Sequence, residues 1–314
     1  MSYIYHLAGE NLELAEAEIR GFLRSQKKEE KLSRTGRTVE TEEEPGQLKR
    51  LALTHEVSRK ICETGVNNLE SLETDYRPEE SFSVRVENLS KREIDSKSIE
   101  KLLGESLSSR KNSVDLEDPD TVVKAYVLEE KVLVGEVVQE INRGLFKNRR
   151  NQYRPFSSPV SLDPVLARVL VNLSGAEPGE TVLDPFCGTG GILIEAGLCG
   201  CRVKGLDIKE EMRKGCRDNL EEYGIINHDI RQGEISEIDE IFDQRFDKVV
   251  TDLPYGKSSK QTEDAVESFL NFADGFDGDL VFVWNEDTIG DYRADFTVYI
   301  HGSLTRYIFV VESE

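Results

Sequence analysis

The stretch LDPFCGTGG at residues 183–191 decides the fold of this chain. An apolar run at residues 181–183 leads into Asp184, and the glycine turn that follows passes into a helical pattern at residues 192–196. A strand that feeds a tight glycine turn and a helix N-terminus brings the backbone close to a ligand. The stretch therefore predicts an open α/β sheet that holds a nucleotide-like ligand at the carboxyl ends of its strands.

A second segment, TDLPYG at residues 251–256, follows the apolar run at residues 248–250 and indicates which group is modified. A ring-attached amine is a poor nucleophile because its lone pair is delocalised into the ring. If Asp252 and the carbonyl of Leu253 accept its two N–H bonds, the lone pair can face an electrophilic methyl group. Tyr255 is suited to stack on a base that has left its helix.

We therefore predict a catalytic segment of four residues, Asp252, Leu253, Pro254 and Tyr255. The alternative interpretation is a buried strand acid followed by a turn with a packing tyrosine.

Two further acids favour a cofactor that contains a ribose and an adenine. Asp207 ends the next predicted strand, about 20 residues after the glycine turn, where a carboxylate can hold both ribose hydroxyls. Glu234 ends the third strand, within reach of an adenine amino group. The alternatives are a helix cap for Asp207 and a solvated acid for Glu234. Position 193 is Leu rather than the Gly of GxGxxG, and no GxxxxGK[ST] motif occurs, which excludes a P-loop.

The charge of the chain argues against a broad basic surface. The net charge is −21 over 314 residues. Residues 1–150 hold 30 acids and 25 bases (−5), and residues 151–314 hold 31 acids and 15 bases (−16). A salt-adapted source would account for this excess. A local basic cluster interleaved with aromatic residues is either an RNA contact or a solvated linker, and its members are Lys147, Arg149, Arg150 and Arg154.

The five cysteines form no CxxC pair and lie near no set of histidine ligands, so the sequence favours a reduced cytosol and no metal. Cys187 in the glycine turn is interpreted as a small spacer rather than a nucleophile. No run approaches the roughly 20 apolar residues of a membrane span, and residues 1–10 lack a signal pattern. A soluble, cytoplasmic protein is expected.

The first half of the chain reads as an α+β region without visible chemistry. Its pattern predicts helices at residues 11–24 and 96–108, a helix beginning within 56–62, strands at 51–53 and 81–86, a strand pair at 121–128 and 131–138, and a loop or hairpin at 25–46. The composition changes at residues 144–159, where Arg, Asn, Ser and Pro replace apolar runs.

Beyond this change, strands and helices alternate. Three late strands, at residues 280–284, 296–300 and 307–311, leave little room for a helix between the last two. Parallel strands closed by an antiparallel hairpin describe a methyltransferase-type Rossmann-like sheet better than a dehydrogenase sheet.

The two segments, combined with RPFSSP at 154–159, SLDP at 161–164 and HGSLTR at 301–306, resemble the archaeal tRNA guanosine-10 N2-methyltransferases. The resemblance implies a ferredoxin-like and THUMP RNA-binding region (1–143), a linker (144–160) and an S-adenosylmethionine-dependent methyltransferase domain (161–314). It implies tRNA as the partner and a cytoplasmic enzyme that adds one or two methyl groups to guanosine 10. A small activator protein stays open, and a monomer is expected.

The resemblance also assigns roles to residues. Asp184, Gly188 and Gly190 would hold the methionine end of the cofactor, with Phe186 in the same turn and Phe156 closing over the ligand. Asp207 would hold the ribose and Glu234 the adenine, while Asp252 and Tyr255 would hold the guanine.

Two positions depart from the family pattern, because Leu253 stands in place of a first proline and Lys257 in place of an arginine. The Leu253 carbonyl is retained, but the fixed φ of proline is lost. The open alternatives are an N2-guanine methyltransferase for another tRNA position or for rRNA, an RNA-binding adaptor with a degenerate site, and, more weakly, a nicotinamide dehydrogenase.

Overall fold

The computed structural model describes residues 1–72, 74–159, 161–243, 245–255, 260–302 and 304–313. The chain forms two compact units. Unit 1 comprises residues 1–16, 31–49 and 54–142, and unit 2 comprises residues 17–30, 50–53 and 143–314.

Unit 1 is built on an eight-stranded sheet with the order β2-β3-β1-β4-β8-β7-β5-β6. All neighbours are antiparallel except β5, which runs parallel to β6 and β7. Apolar side chains of α2 and of the strands β5, β7 and β8 form one buried cluster. The strands are β1 (Tyr3–Leu7), β2 (Ser33–Thr35), β3 (Thr38–Thr41), β4 (Thr54–Gly65), β5 (Ser81–Asn88), β6 (Ser113–Val114), β7 (Thr121–Val127) and β8 (Lys131–Glu140); the helices are α1 (Leu12–Arg24), whose second half belongs to unit 2, and α2 (Ser96–Leu107).

Strand β4 corrects two predictions. The strand expected at 51–53 is wrong, since β4 begins at Thr54, and the helix expected from residue 56 is wrong, since β4 continues to Gly65. Val57 and Ile61 have helical spacing, but the segment pairs with β1 on one side and with β8 on the other. Tertiary pairing overrides so short a pattern. The remaining predictions for this half, the two helices, the strands β5, β7 and β8 and a hairpin within 25–46, are confirmed.

Unit 2 carries a seven-stranded sheet with the order β11-β10-β9-β12-β13-β17-β16. Strands β9 to β13 are mutually parallel, and β17 is antiparallel to both neighbours. The chain leaves β9 toward β10 on one side and returns to β12 on the other, so the order reverses between β9 and β12. The strands are β9 (Thr181–Asp184), β10 (Arg202–Leu206), β11 (His228–Arg231), β12 (Lys248–Asp252), β13 (Asp279–Trp284), β16 (Phe296–His301) and β17 (Leu304–Val311), with a separate hairpin of β14 (Thr288–Ile289) and β15 (Tyr292–Arg293); the helices are α3 (Gly144–Lys147), α4 (Pro164–Leu173), α5 (Gly191–Leu198), α6 (Glu210–Glu222), α7 (Ile238–Ile241) and α8 (Lys260–Ala273).

The central strands are buried on both faces, as continuous apolar runs in parallel sheets predict. The βα alternation and the closing antiparallel hairpin are confirmed. None of the helices within the described part of the chain is long and apolar enough to cross a membrane.

Unit 2 extends beyond the boundaries that the sequence suggested. Buried Glu18 accepts hydrogen bonds from the backbone N–H groups of Ala52 and Leu53, both at 2.8 Å, and from Nδ2 of Asn172 at 2.7 Å. The expected linker at 144–160 also belongs to this unit.

Candidate active site

A cavity of about 750 Å³ opens at the carboxyl ends of β9, β10 and β12, where the strand order reverses. Open α/β sheets bind ligands at this point. The walls contain both of the segments that the sequence singles out. Nine predicted site residues line the cavity: Asp184, Phe186, Gly188, Asp207, Glu234, Asp252, Leu253, Pro254 and Tyr255.

Asp184 ties the two segments together. Its Oδ1 accepts a hydrogen bond from the Phe186 N–H at 3.1 Å and another from the Thr251 hydroxyl at 2.7 Å. Because the carboxyl is fully buried, desolvation raises the pKa of Asp184 to about 7. Asp184 therefore holds the start of the glycine turn against the end of β12.

The glycine turn needs its glycines for conformation and for space. Gly188 and Gly190 have φ values of 48° and 81°, which favour glycine. A Cβ on Gly190 would lie 2.7 Å from Sγ of Cys216, whereas one on Gly188 would meet nothing closer than the Phe186 carbonyl oxygen at 3.9 Å. The backbone at Gly188 is thus open to a ligand, and Gly190 packs against α6 outside the cavity lining.

Asn219 on α6, which no sequence pattern indicated, holds the backbone at Phe156 beside the glycine turn. Its side chain is fully buried; Nδ2 donates to the carbonyls of Thr189 and Phe156, and Oδ1 accepts the Phe156 N–H, all at 2.9 Å. The Phe156 ring packs where a side chain at Gly215 would stand. Phe156 is therefore held beside the turn, although it does not line the cavity. The sequence signal that could have indicated this role is the placement of an asparagine on the apolar face of α6.

Asp207 and Glu234 both line the cavity, but they differ in burial and in their hydrogen bonds. Asp207 is half-buried, which raises its pKa, and its Oδ1 accepts the Lys209 N–H at 2.7 Å. Helix α6 is capped at Lys209, so Asp207 shapes the turn before the helix. Glu234 is exposed and forms a capping box with Glu237. Both positions match the ribose and adenine roles and stay predictions.

The catalytic segment places an unpaired acceptor in the cavity wall. Asp252 ends β12; its Oδ2 accepts from Nη2 of Arg306 at 3.3 Å, while its Oδ1 is buried without a partner among the described atoms. Burial raises the pKa of Asp252 to about 6, against the opposing charge of Arg306. Tyr255 accepts from the same Nη2 at 2.8 Å. Pro254 lies between them in the lining.

The four members of the basic cluster have different environments. Arg149 forms an ion pair with buried Glu195, with Nε 2.7 Å from Oε1, and Arg154 is buried with Nε on the Arg149 carbonyl. Neither guanidinium is presented to solvent as a phosphate contact requires. Lys147 and Arg150 are exposed, the latter beside Asp163. Of the four bases that the sequence offers for an RNA contact, Lys147 and Arg150 alone are exposed, and their contact with RNA stays a prediction.

Known proteins share both parts of this chain. Residues 151–276 match the family described as RMKL-like, methyltransferase domain, and residues 68–135 match the THUMP domain. The tRNA (guanine(10)-N2)-dimethyltransferase of Methanothermobacter thermautotrophicus is 33% identical over 337 residues, with 99% of each chain covered. The chain belongs to this tRNA (guanine(10)-N2)-dimethyltransferase family. The family member of Pyrococcus abyssi is 36% identical and covers 74% of this chain. TrmN from Thermus thermophilus has the same fold, with a TM-score of 0.54 at 20% identity and full coverage of both chains.

The predicted fold class and the resemblance are thereby confirmed: a Rossmann-like methyltransferase sheet accompanies a THUMP-containing α+β part. The family's cofactor is S-adenosylmethionine. The cavity fits this group, because the backbone at Gly188 is open and the Asp207 carboxylate, an acceptor of the kind that ribose hydroxyls need, lines the same space. Among the described residues, no group of His, Cys, Asp or Glu has the arrangement of a metal site.

The departure of this family member at Leu253 is accommodated by the core. The Leu253 side chain is 1% exposed and packs among apolar residues of the sheet and α8. Its N–H donates to the Val283 carbonyl at 3.1 Å, a bond that proline cannot make. Leucine therefore extends the pairing of β12 with β13 by one residue. The second departure, Lys257, and the residues Gly256 and Ser303 of the quoted motifs lie outside the described residues.

Proposed function

We propose that this chain transfers one or two methyl groups from S-adenosylmethionine to the exocyclic amine of guanine 10 in tRNA. In this proposal Gly188, Asp207 and Glu234 bind the cofactor, and Asp252, Leu253 and Tyr255 bind the guanine. The unpaired Oδ1 of Asp252 in the shared cavity is the observation that carries the proposal.

The cavity residues act by positioning and by charge. The cofactor supplies an electrophilic methyl group on a sulfonium. Asp252 Oδ1 and the Leu253 carbonyl accept the two N–H bonds of the amine, so that the lone pair is no longer held in conjugation with the ring. As the bond from nitrogen to the methyl carbon formed, the bond from that carbon to sulfur would break, and its electron pair would leave with S-adenosylhomocysteine. The Asp252 carboxylate would stabilise the positive charge on nitrogen and accept the N–H proton that the nitrogen loses. Tyr255 stacks on the base, an interaction that contributes roughly 1–3 kcal/mol.

A second methyl transfer needs only part of this arrangement. A monomethylated amine retains one N–H, so one of the two acceptors suffices to orient it. Both products are therefore compatible with the same four residues.

The test uses the purified chain, unmodified tRNA and mass spectrometry of nuclease digests. We expect N2-methylguanosine or its dimethyl form in a fragment that contains position 10, and no product from tRNA with adenosine at that position. Asp252→Ala should abolish methylation and change cofactor affinity by no more than a few fold, because Asp252 contacts the base alone. Methylation at another guanosine would support one of the alternative substrates, and near-wild-type turnover by Asp252→Ala would contradict the amine-holding role.

The partner assignments are part of the same proposal. The family membership and the THUMP domain support tRNA as the substrate. We further propose that the chain acts as a monomer, which light scattering with and without tRNA tests. Activity of the purified chain alone decides whether an activator protein is required.

A further inference from the structure

Arg306 lies near the start of β17, and its side chain reaches the catalytic segment after β12, although β13 lies between these two strands. Its side chain is 7% exposed. Nη2 alone contacts both Asp252 Oδ2, at 3.3 Å, and the Tyr255 hydroxyl, at 2.8 Å. The guanidinium carbon lies 5.9 Å from the centre of the Tyr255 ring. One buried cation thus connects the group that would accept the amine with the ring that would stack on the base.

We propose that Arg306 is a positioning residue for methyl transfer: it keeps Asp252 ionised, with one carboxylate oxygen free for the substrate, and fixes the orientation of Tyr255. This inference rests on the proposed function, since it names what prepares the same site for the guanine amine.

The two carboxylate oxygens of Asp252 have different environments, and this difference supports the positioning role of Arg306. Oδ2 is occupied by Arg306, and Oδ1 is buried and unpaired among the described atoms. A buried acceptor without a donor is costly unless a ligand supplies one. The ion pair restricts rotation of the carboxylate, so the free oxygen stays in the cavity wall. An amine N–H of the substrate is the donor of matching chemistry.

Acids predominate around Asp252, and Arg306 offsets their charge. Asp184 on β9 lies close enough to interact with Asp252. The other charged residues among the described lining of the cavity are the acids Asp207, Glu234 and Asp264 and one base, Lys209. Tyr255 on the same loop is neutral, with its pKa raised by burial and by Asp252. Within the described part of the chain, Arg306 is the cation that pairs with Asp252.

Burial and Arg306 act on the Asp252 carboxyl in opposite directions. Burial raises the pKa of Asp252 to about 6, while the charge of Arg306 and its hydrogen bond to the carboxylate act to lower it. Removing Arg306 therefore raises the pKa of Asp252 further, so the ionised form is lost at a higher pH.

The experiment measures single-turnover methylation between pH 5.5 and 9.5, at saturating tRNA and cofactor, for wild type, Arg306→Met and Arg306→Lys. We expect the acid limb of the pH–rate profile of Arg306→Met to move up by about one pH unit or more, relative to that of wild type. A shift of one unit from a pKa of about 6 should lower the rate about fivefold at pH 6 and about twofold at pH 7, and most of this loss should be recovered at pH 9. Arg306→Lys restores the charge and should keep the limb near that of wild type. Arg293→Met, at an exposed arginine of β15, is the matched control and should leave the profile unchanged.

A titration of Asp252 by carbon-13 NMR, assigned with Asp252→Asn, gives a readout that needs no activity. A higher Asp252 pKa in Arg306→Met supports the inference. An unchanged pKa, or a loss of rate of equal size at every pH, overturns it and leaves a packing role. If wild type methylates no guanine 10 but the NMR shift occurs, the proposed function fails and the positioning of Asp252 stands. A cofactor affinity of Arg306→Met within a few fold of that of wild type shows that the variant is folded. If Arg306→Met is not folded, Arg306→Lys alone decides. A shift of the acid side of its pH–rate profile by a full unit then contradicts the inference.

Discussion

Leu253 shows at the scale of one residue how a departure from a motif can be neutral for chemistry and yet needed for stability. The backbone carbonyl that the amine requires belongs to any residue. The side chain and the N–H are engaged in the core and with Val283, so they serve the fold of this particular chain. The motif therefore separates into an acid and a carbonyl that act on the substrate and a side chain that adapts to its surroundings.

We expect Leu253→Pro to lower the free energy of unfolding by about 2–4 kcal/mol, since it removes a buried backbone hydrogen bond and part of a packed side chain. Leu253→Ala is the matched variant that removes only packing. Methylation per folded molecule should be retained in both. Denaturant unfolding and turnover at low temperature provide the measurements, and a stability of Leu253→Pro equal to that of wild type would contradict the account.

Among the secondary-structure elements, those whose apolar residues form a clear pattern could be predicted from the sequence. Strands β9, β12 and β13 are continuous apolar runs and were predicted, as was the hairpin of β16 and β17. Strand β4 was not, because Val57 and Ile61 mimic a helix while Glu56 inside it is buried against His6 and Lys124. Of the site, the residues on strand ends could be located by spacing. Asn219 and Arg306 could not, because their partners lie far away in sequence.

The segment that contains α3 provides a prediction about RNA. Lys147 and Arg150 are exposed, whereas Arg149 is bound to Glu195 and stacks over Phe146. The double variant Lys147→Glu/Arg150→Glu should weaken tRNA binding and reduce the slope of log K against log salt by about 1–2, as loss of phosphate contacts requires. Arg149→Glu should instead destabilise the fold, because it leaves two carboxylates buried together. Binding measured over a range of salt concentrations separates the two, and an unchanged slope for the double variant would make this segment a scaffold only.

At the scale of the whole molecule, the methyltransferase part is not a continuous piece of chain. Residues 17–30 and 50–53 complete unit 2, and the buried carboxylate of Glu18 joins both to Asn172 on α4. Helix α4 is buried along its length, and the Arg50 guanidinium contacts the same asparagine at 2.6 Å. Domain boundaries placed from changes in composition do not show that unit 2 depends on residues 17–30 and 50–53. Only a few polar residues, in a region that otherwise looks separate, make this connection.

This dependence predicts that residues 144–314 alone will not unfold cooperatively, because Asn172 and one face of α4 would lose their partners. In the full chain, Glu18→Ala leaves the N–H groups of Ala52 and Leu53 without an acceptor, and the Asn172 amide keeps only its hydrogen bond to the Arg50 carbonyl, at 3.2 Å. Each unsatisfied buried donor costs about 1–3 kcal/mol, so we expect the free energy of unfolding to fall by at least about 3 kcal/mol in total. Glu16→Ala on the same helix, where the glutamate pairs with Arg34 at a more accessible position, is the control and should cost less than about 1 kcal/mol. Denaturant unfolding of the three proteins checks this, and a cooperative transition for residues 144–314 would show that the methyltransferase part folds without residues 17–30 and 50–53.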